Sequence, residues 1–296
     1  MRNFILGTDW WTDCDDAVAV RLISRFVNDG KIGLSGVFIN ACMDYSVASL
    51  KGFFNAEGIV DIPIGIDLEA TDFGGRPPFQ KNLAKKLCPD ISNSDAENGV
   101  RLYRRLLANA KEKIEIIEIG FLQVVAALLK SEGDDISEKN GIELVKEKVS
   151  KFWVMAGKWD KDGEKEHNFC LNERSRNAGY EFCNLCPVPV TFLGFEVGFD
   201  VISAGGCIAH DDHLYGVLSD HGSQNGRYSW DPMLTLLAII GDEEKAGYSV
   251  KTGTASVDKI TGANYFKTDE NGKHKFVIKE MPDEYYVRAI NDIVKS

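Results

Sequence analysis

Short apolar runs alternate with longer stretches whose apolar residues recur every three or four positions. The short runs predict β-strands and the longer stretches predict helices. The predicted strands are residues 4–9, 32–40, 62–66, 114–120, 151–157 and 188–194. The clearest predicted helices are residues 17–27, 46–54, 99–110 and 122–130. A repeated strand–helix order is typical of a mostly parallel central sheet with helices on both faces, so we predict an α/β fold.

Residues 248–280 follow a different pattern, in which apolar and polar residues alternate on both sides of the turn sequence TDENGK. This pattern predicts a β-hairpin excursion. Residues 284–295 then predict a closing helix. No segment of the 296 residues has the composition of a linker, so we expect one domain over residues 1–296.

Composition excludes several classes of protein. The formal net charge of −11 disfavours a nucleic-acid polymer as partner, because phosphate contacts need clustered Lys and Arg. No apolar run approaches the roughly 20 residues of a membrane span, and the N-terminus becomes acidic too early for a secretion signal. Seven scattered cysteines suit a reducing compartment, and the CNLC pair at 183–186 fits a structural role. We expect a soluble, cytoplasmic protein.

The sequence GTDWWTDCDDAVAV, residues 7–20, carries the most distinctive chemistry. Its four aspartates follow the first predicted strand, and Asp231 lies in a later loop, YSWDPM. Ligands of parallel α/β folds bind beyond the carboxyl ends of the strands, where these carboxylates would converge. Oxygen ligands drawn from distant loops favour calcium. Spacing alone fits equally well with Asp15 and Asp16 stabilising a helix N-terminus.

Five separated motifs occur in order: ILGTD…DDAVAV, GVFINACMDYSVAS, IEIIEIGFLQVVAALL, WVMAG…EHNF and WDPM. Together, over roughly residues 3–240, they resemble the inosine-uridine nucleoside hydrolase family. The resemblance implies a nucleoside-hydrolase-like fold and calcium-dependent hydrolysis of the N-glycosidic bond of a ribonucleoside or related N-ribosyl compound. It also implies a small-molecule nucleoside or ribosyl partner and a homodimer or homotetramer.

The resemblance implies a calcium site. Asp9 would be a calcium ligand and the general base that activates water. Asp16 and Asp231 would be further ligands, together with the backbone carbonyl of Gln123. A carboxylate beside a dication stays ionised at neutral pH and can accept a proton from water.

The resemblance also implies a sugar site. Asp15 would bind a ribose hydroxyl, with Asn40 close by. Glu166 and Asn168 would hold the 5′-hydroxyl, and Met155 would line the sugar.

The chain departs from the family pattern in its first loop. Typical members have D-P-G-x-D-D, whereas this chain has D-W-W-T-D-C-D-D, two residues longer, with Gly7 where an aspartate usually precedes. An ungapped alignment would put Trp11 at the position of the general base. The gapped alignment is preferred because Asp9 then ends its strand. Asp13 becomes an extra carboxylate, for which capping or solvent exposure is favoured over calcium binding.

Leaving-group chemistry is the second departure. Trp230 occupies the place of a histidine that assists the departing base, and residues 72–78 lack a second expected histidine. His167 could act as the acid or fill an aromatic position. Stacking could replace part of the lost assistance: we expect Trp230 to contact substrate and Trp159 to share its rim.

Other side chains near the predicted site are open to two interpretations. Of Trp10 and Trp11, one is expected in the core and the other at the pocket edge. Arg227 and Tyr228 could contact substrate. The cluster AHDDH at 209–213 could imitate a metal site, although a solvated helix start is favoured.

Two other functions stay open at this stage. One is a calcium-dependent sugar-binding relative that has lost nucleoside hydrolase activity, which the missing histidines favour. The other is a hydrolase for a different aglycone. The presence of Asp9 favours an enzyme, because binding alone requires no base.

Overall fold

The computed structural model describes residues 1–295. Twelve strands occur within them: β1 Asn3–Thr8, β2 Gly33–Ile39, β3 Ile64–Ile66, β4 Glu97–Asn98, β5 Ile114–Glu118, β6 Val149–Met155, β7 Val190–Leu193, β8 Ile202–Ser203, β9 Arg227–Tyr228, β10 Tyr248–Val257, β11 Asn264–Thr268 and β12 His274–Lys279. The α-helices of the same residues are α1 Asp15–Asn28, α2 Ser46–Ala56, α3 Gln80–Leu87, α4 Gly99–Asn109, α5 Gln123–Lys130, α6 Gly141–Lys148, α7 His167–Cys170, α8 Glu173–Leu185, α9 Phe195–Gly198, α10 His213–His221, α11 Trp230–Ile240 and α12 Asp283–Val294.

Ten strands form one sheet in the order β11-β10-β12-β7-β6-β5-β1-β2-β3-β4. All neighbours from β12 to β4 are parallel, and β10 is antiparallel to both β11 and β12. The predicted α/β fold with a mostly parallel sheet is therefore confirmed. Strands β8 and β9 form a separate antiparallel pair.

The hydrophobic core lies on both faces of this sheet. Phe4 and Leu6 of β1 belong to one buried cluster, whereas Ile5 between them belongs to the other. Successive side chains of a strand point to opposite faces, and a strand covered on both faces is apolar throughout. This double burial explains why the central strands appear in the sequence as continuous apolar runs.

The C-terminal excursion differs from the predicted hairpin. It contains three strands, and TDENGK joins β11 to β12 rather than the two long strands to each other. Strand β10 pairs with both of them, and β12 joins the central sheet beside β7. The short run NYFKT, which forms β11, carries too little alternation to stand out as a strand. The closing helix is present as α12.

Among residues 1–295, no helix combines the length and the apolar character needed to cross a membrane.

Candidate active site

A cavity of about 310 Å³ opens near the carboxyl ends of β1 and β6, where the first residues of α1 and α11 meet. Six carboxylates line it: Asp9, Asp13, Asp15, Asp16, Glu166 and Asp231. The parallel sheet brings these residues together from distant parts of the chain, as expected for the carboxyl edge of such a sheet.

Three of these carboxylates form a compact group. Asp15, Asp16 and Asp231 each offer an oxygen, and these oxygens lie within 4.8 Å of one another. Asp15 and Asp16 begin α1, and the packing of α1 against α11 brings Asp231 to them. The Asp231 backbone N–H donates to Asp15 Oδ2 at 3.2 Å. A set of carboxylate oxygens with no nitrogen or sulfur ligand suits a hard cation.

Asp16 is held by the end of β1. It accepts hydrogen bonds from the Thr8 hydroxyl and, at 3.4 Å, from the Trp10 backbone N–H. Asp9 lies between these two donors in sequence and lines the same cavity, but it is outside the compact group of three. The compact group therefore includes Asp15, for which the resemblance implied a sugar contact, and not Asp9, for which it implied ligation.

Burial and mutual repulsion raise the pKa of these carboxyl groups. Burial, followed by the charges of Asp15 and Asp13, raises the pKa of Asp9 to about 8. The pKa values of Asp15, Asp16 and Asp231 lie well above their ordinary range, again through burial first and neighbouring carboxylates second. Like charges buried together resist ionisation, and a bound cation reverses that resistance. The group therefore fits a divalent cation.

Three predicted sugar contacts come together on another wall. Met155, Glu166 and Asn168 all line the cavity. Asn168 Nδ2 donates to the Met155 carbonyl oxygen at 2.9 Å, and Glu166 accepts from the Gly157 and Asn168 backbone N–H groups at 2.8 and 2.9 Å. These hydrogen bonds fix both polar side chains to the end of β6. Burial raises the pKa of Glu166 to about 7.

Asn40 and Gln123 lie outside the cavity lining. Both are buried, and Gln123 Nε2 donates to the Asn40 carbonyl oxygen. Within the described part of the chain, Asn40 Oδ1 and Gln123 Oε1 are buried oxygens without a hydrogen-bond partner. Unpartnered buried acceptors are rare in native proteins and indicate a place for a donor or a cation.

Aromatic rings form the remaining walls. Trp11 stacks on His167, with ring centroids 5.6 Å apart and an interplanar angle of 23°. Trp230 stacks on Phe195 at 5.3 Å and donates from Nε1 to the Phe195 carbonyl oxygen at 2.8 Å. All four residues line the cavity. Burial lowers the pKa of His167, which favours its neutral form at pH 7.

The two adjacent tryptophans separate as expected, because Trp10 is buried in the core and Trp11 lines the cavity. The prediction for Trp159 is wrong. Its ring packs beneath the C-terminal strands on Phe192, Phe266 and Phe276, away from the cavity lining. An indole in a loop next to a strand end can face either the rim or the core, and the apolar C-terminal strands provide the larger apolar surface.

Asp13 neither caps the first helix nor lies free in solvent. Its two carboxylate oxygens accept hydrogen bonds from Arg227 Nε, at 2.7 Å, and from Arg227 Nη2. Helix α1 begins without a side-chain cap. Arg227 is the one Lys or Arg among the described residues that line the cavity, and its side chain is 26% exposed. Its pairing with Asp13 joins residues 214 positions apart, which no local pattern could predict.

The AHDDH cluster leads into a helix start, as favoured from the sequence, but Asp212 and His213 are not solvated as expected, because their side chains are 12% and 18% exposed. Asp212 accepts from the Leu214 backbone N–H at 2.8 Å and caps α10. His213 and Asp212 also contact Glu57 and Arg21 in a buried charge network. In the CNLC pair, Cys183 and Cys186 are buried free thiols, which fits the structural role.

Sequence reasoning missed three residues of the cavity lining, Thr12, Ile119 and Phe195. Phe195 begins α9, two residues after the end of β7, and its position after a strand end was the available signal. A further residue, outside the cavity lining, also went unnoticed: Glu118 ends β5 inside the apolar run IEIIEIG and is fully buried next to Asn40. A charged residue within a buried strand was the signal there.

Comparisons with known proteins support the fold. No protein-family model and no curated protein matches the chain. Among solved structures, the chain is similar to a purine-preferring ribonucleoside hydrolase from Gardnerella vaginalis, with a TM-score of 0.71, 14% identity and 99% of each chain covered.

Two further structures are similar over 99% of this chain. An inosine-uridine preferring nucleoside hydrolase from Bacillus anthracis has a TM-score of 0.66 at 12% identity, with 100% of that chain covered. The type III effector protein XopQ, in complex with adenosine diphosphate ribose, has a TM-score of 0.71 at 17% identity, with 93% covered. The chain therefore has the fold of nucleoside hydrolases.

Proposed function

We propose that this protein is a calcium-dependent hydrolase of the N-glycosidic bond of a ribonucleoside or a related N-ribosyl compound. The observation that carries the proposal is a cavity with a compact carboxylate group, a separate carboxylate at the end of β1 and two aromatic walls. The shared fold with nucleoside hydrolases supports the same function.

Asp16 and Asp231 would hold the calcium ion, with Asp9 and the Gln123 carbonyl as the further ligands implied by the resemblance. Asp15 belongs to the same compact group and would either ligate the ion or receive a ribose hydroxyl. When bound, the ion supplies positive charge that keeps the carboxylates ionised and orients oxygen ligands.

Asp9 would act as the general base. Its carboxylate lines the cavity outside the compact group, where it would accept a proton from water. The water oxygen bonds to the anomeric carbon as the C–N bond breaks. The water proton passes to Asp9, and the electron pair of the C–N bond leaves with the nucleobase or other leaving group. Glu166, Asn168 and Met155 would fix the sugar during this step, because they are themselves held at the end of β6.

The aromatic walls would bind the leaving group. Trp11 and His167 form one stacked pair, and Trp230 and Phe195 form the other. A flat base between aromatic faces gains stacking energy in a site that excludes water. His167 is the histidine of the cavity lining, and its lowered pKa favours a stacking role over proton donation.

A second candidate is a calcium-dependent protein that binds ribosyl compounds without hydrolysing nucleosides. Two observations favour it: the histidine expected before Asp231 is replaced by Trp230, and the XopQ structure contains adenosine diphosphate ribose. A hydrolase for a different aglycone would meet the same requirements. We also propose that the protein is cytoplasmic and forms a homodimer or homotetramer.

The deciding experiment measures reducing sugar released from a panel of purine and pyrimidine nucleosides and adenosine diphosphate ribose, with calcium and with a chelator. The wild type is compared with Asp9→Asn and with Glu112→Gln, a control that lies outside the cavity lining, shortly before the first residue of β5. We expect release by the wild type and the control, and a loss of about 100-fold or more in Asp9→Asn. Binding of ribose and calcium without release from any substrate would favour the second candidate.

A further inference from the structure

Arg227 places a positive charge beside one aromatic wall of the cavity. Within residues 1–295 it is the one Lys or Arg of the cavity lining. Its backbone belongs to β9 and pairs with Ser203 of β8. Its guanidinium carbon lies 5.0 Å from the centre of the Tyr228 ring and 5.7 Å from that of Trp230. Trp230 forms the wall to which the leaving group would bind, so the cation lies next to the place of the leaving group.

Asp13 fixes the orientation of this guanidinium group. Its two carboxylate oxygens accept from Arg227 Nε, at 2.7 Å, and from Nη2. The guanidinium group is planar and rigid, so a carboxylate on the Nε–Nη2 edge leaves Nη1 on the opposite side. Nη1 forms no hydrogen bond with residues 1–295 and is not one of their buried polar atoms without a partner. Nη1 is therefore an accessible donor on a residue that lines the cavity.

The proposed reaction creates a negative charge that needs such a donor. When the C–N bond breaks, its electron pair stays on the aglycone nitrogen, and an unprotonated purine or pyrimidine departs as an anion. The carboxylates of the cavity oppose a further negative charge. Trp230, which replaces the expected histidine, already donates from Nε1 to the Phe195 carbonyl oxygen. Burial lowers the pKa of His167, which favours its neutral form.

An arginine suits this task because its charge is permanent. The hydrogen bonds with Asp13 raise the pKa of Arg227 above its ordinary value, so the side chain keeps its proton. A fixed cation or N–H donor aimed at a developing anion stabilises the transition state without transferring a proton. Hydrogen bonds from a charged donor are also stronger than those from a neutral one.

We propose that Arg227 is a catalytic residue whose Nη1 donates a hydrogen bond to a carbonyl oxygen or ring nitrogen of an anionic leaving group. The role rests on the proposed function and specifies its substrates as N-ribosyl compounds whose aglycone departs with a negative charge. The water oxygen bonds to the anomeric carbon, Asp9 takes one water proton, and the C–N electron pair stays on the aglycone. Arg227 keeps its protons, and solvent protonates the aglycone afterwards.

Substrates with the same sugar and different leaving groups separate this role from a structural one. Uridine and inosine release their bases as anions. Nicotinamide riboside already carries a positive charge on its pyridinium nitrogen, so its nicotinamide leaves as a neutral molecule that a cation does not stabilise. A residue that only holds Asp13 in place would affect all three substrates alike, whereas charge stabilisation acts on uridine and inosine alone.

The experiment measures kcat/KM of the full chain for these three substrates in saturating calcium. We expect Arg227→Gln to lose about 100-fold on uridine and inosine and to stay within about threefold of wild type on nicotinamide riboside. Arg227→Lys keeps the charge but not the planar fork, so it should lose about tenfold on the two nucleosides. Arg174→Gln is the matched control, because Arg174 pairs with Asp72 outside the cavity.

The ratio of kcat/KM for uridine to that for nicotinamide riboside does not depend on the fraction of protein that is folded. A partly unfolded Arg227→Gln sample therefore still tests the proposal. If Arg227→Gln does not fold at all, the same ratio in Arg227→Lys should fall by about tenfold. If the wild type accepts nucleosides only, 5-fluorouridine replaces nicotinamide riboside. Its fluorine stabilises the departing anion, so Arg227→Gln should lose less on it than on uridine.

The outcomes distinguish this role from the proposed function. Equal losses on the compared substrates, or no loss on uridine and inosine, would overturn the role of Arg227 and leave the proposed function intact. Wild-type activity on nicotinamide riboside alone would also overturn the role, because the cavity would then favour a neutral leaving group. If the wild type releases sugar from none of these compounds, the proposed function fails and the role of Arg227 fails with it.

Discussion

Trp10 and Trp11 are consecutive residues whose side chains belong to different parts of the molecule. Trp10 lies between Phe53 and Phe79 in the core, and its Nε1 donates to Ser49 Oγ at 2.8 Å. Trp11 lines the cavity. Trp10 has a positive φ of 45°, which turns the backbone between the two side chains. This conformation is rare for a residue with a large side chain. The loop between β1 and α1 therefore contributes one indole to the core and one to the cavity.

This separation predicts different effects of two alanine substitutions. Trp10→Ala should lower the free energy of unfolding by about 3–5 kcal/mol, because it leaves a large cavity in the core. Trp11→Ala should weaken nucleoside binding by about 1–3 kcal/mol through lost stacking. Chemical denaturation measures the first quantity and calorimetric titration with a nucleoside the second. Similar effects of both variants on binding alone would contradict the division of roles.

The acidic group predicts that stability without calcium depends on pH. Asp9, whose folded pKa of about 8 exceeds the ordinary value of 3.8, stabilises the calcium-free fold fully below about pH 4 and loses this contribution as the pH rises through 8. The raised pKa values of Asp15, Asp16 and Asp231 act in the same direction. Calcium replaces these protons, so its stabilising effect should grow with pH.

Thermal unfolding at pH 5 and pH 8, with calcium and with a chelator, checks this prediction. The increase in melting temperature caused by calcium should be larger at pH 8. Asp16→Asn with Asp231→Asn should abolish the increase at both pH values. An increase of the same size at both pH values in the wild type would show that these carboxylates do not bind the ion.

Arg227 and Asp13 predict opposite effects on calcium affinity. Arg227→Gln removes the one cationic side chain of the described cavity lining and should strengthen calcium binding by roughly three- to tenfold. Asp13→Asn removes a negative charge and should weaken it by a similar factor, since both charges act on Asp15. Arg174→Gln is a control, because Arg174 pairs with Asp72 outside the cavity. Weaker calcium binding in Arg227→Gln would refute the electrostatic argument.

The central strands and helices, and most of the residues that line the cavity, could be predicted from the sequence. Strands β1, β2, β5 and β6 appear as apolar runs because they are buried on both faces, and their ends deliver Asp9, Asn40 and Met155 to one edge. Contacts between distant loops could not be predicted in this way. Asp13 has no local feature that selects Arg227, and no local pattern indicates that Glu118 lies opposite Gly7 of the neighbouring strand.

A buried charge network that joins α1 to the ends of α2 and α10 gives the last prediction. Arg21 of α1 is 1% exposed and donates hydrogen bonds to Glu57 and Asp212, which are 3% and 12% exposed. Arg21→Met would remove the arginine partner of both carboxylates and leave His213 as the basic side chain beside them. Removing one partner of a buried pair is far more costly than the pair's net contribution.

We expect Arg21→Met to reduce the free energy of unfolding by about 3–5 kcal/mol in chemical denaturation. Arg101→Met is the matched control, because the Arg101–Asp135 pair is 53% and 71% exposed and such pairs contribute about 1 kcal/mol or less. Arg21→Met with Glu57→Gln should recover part of the loss, since one unpaired charge is removed with its partner. Because α1 also begins with Asp15 and Asp16, an Arg21→Met protein that is destabilised but keeps wild-type calcium affinity would show that the network stabilises the helix without setting the geometry of the acidic group.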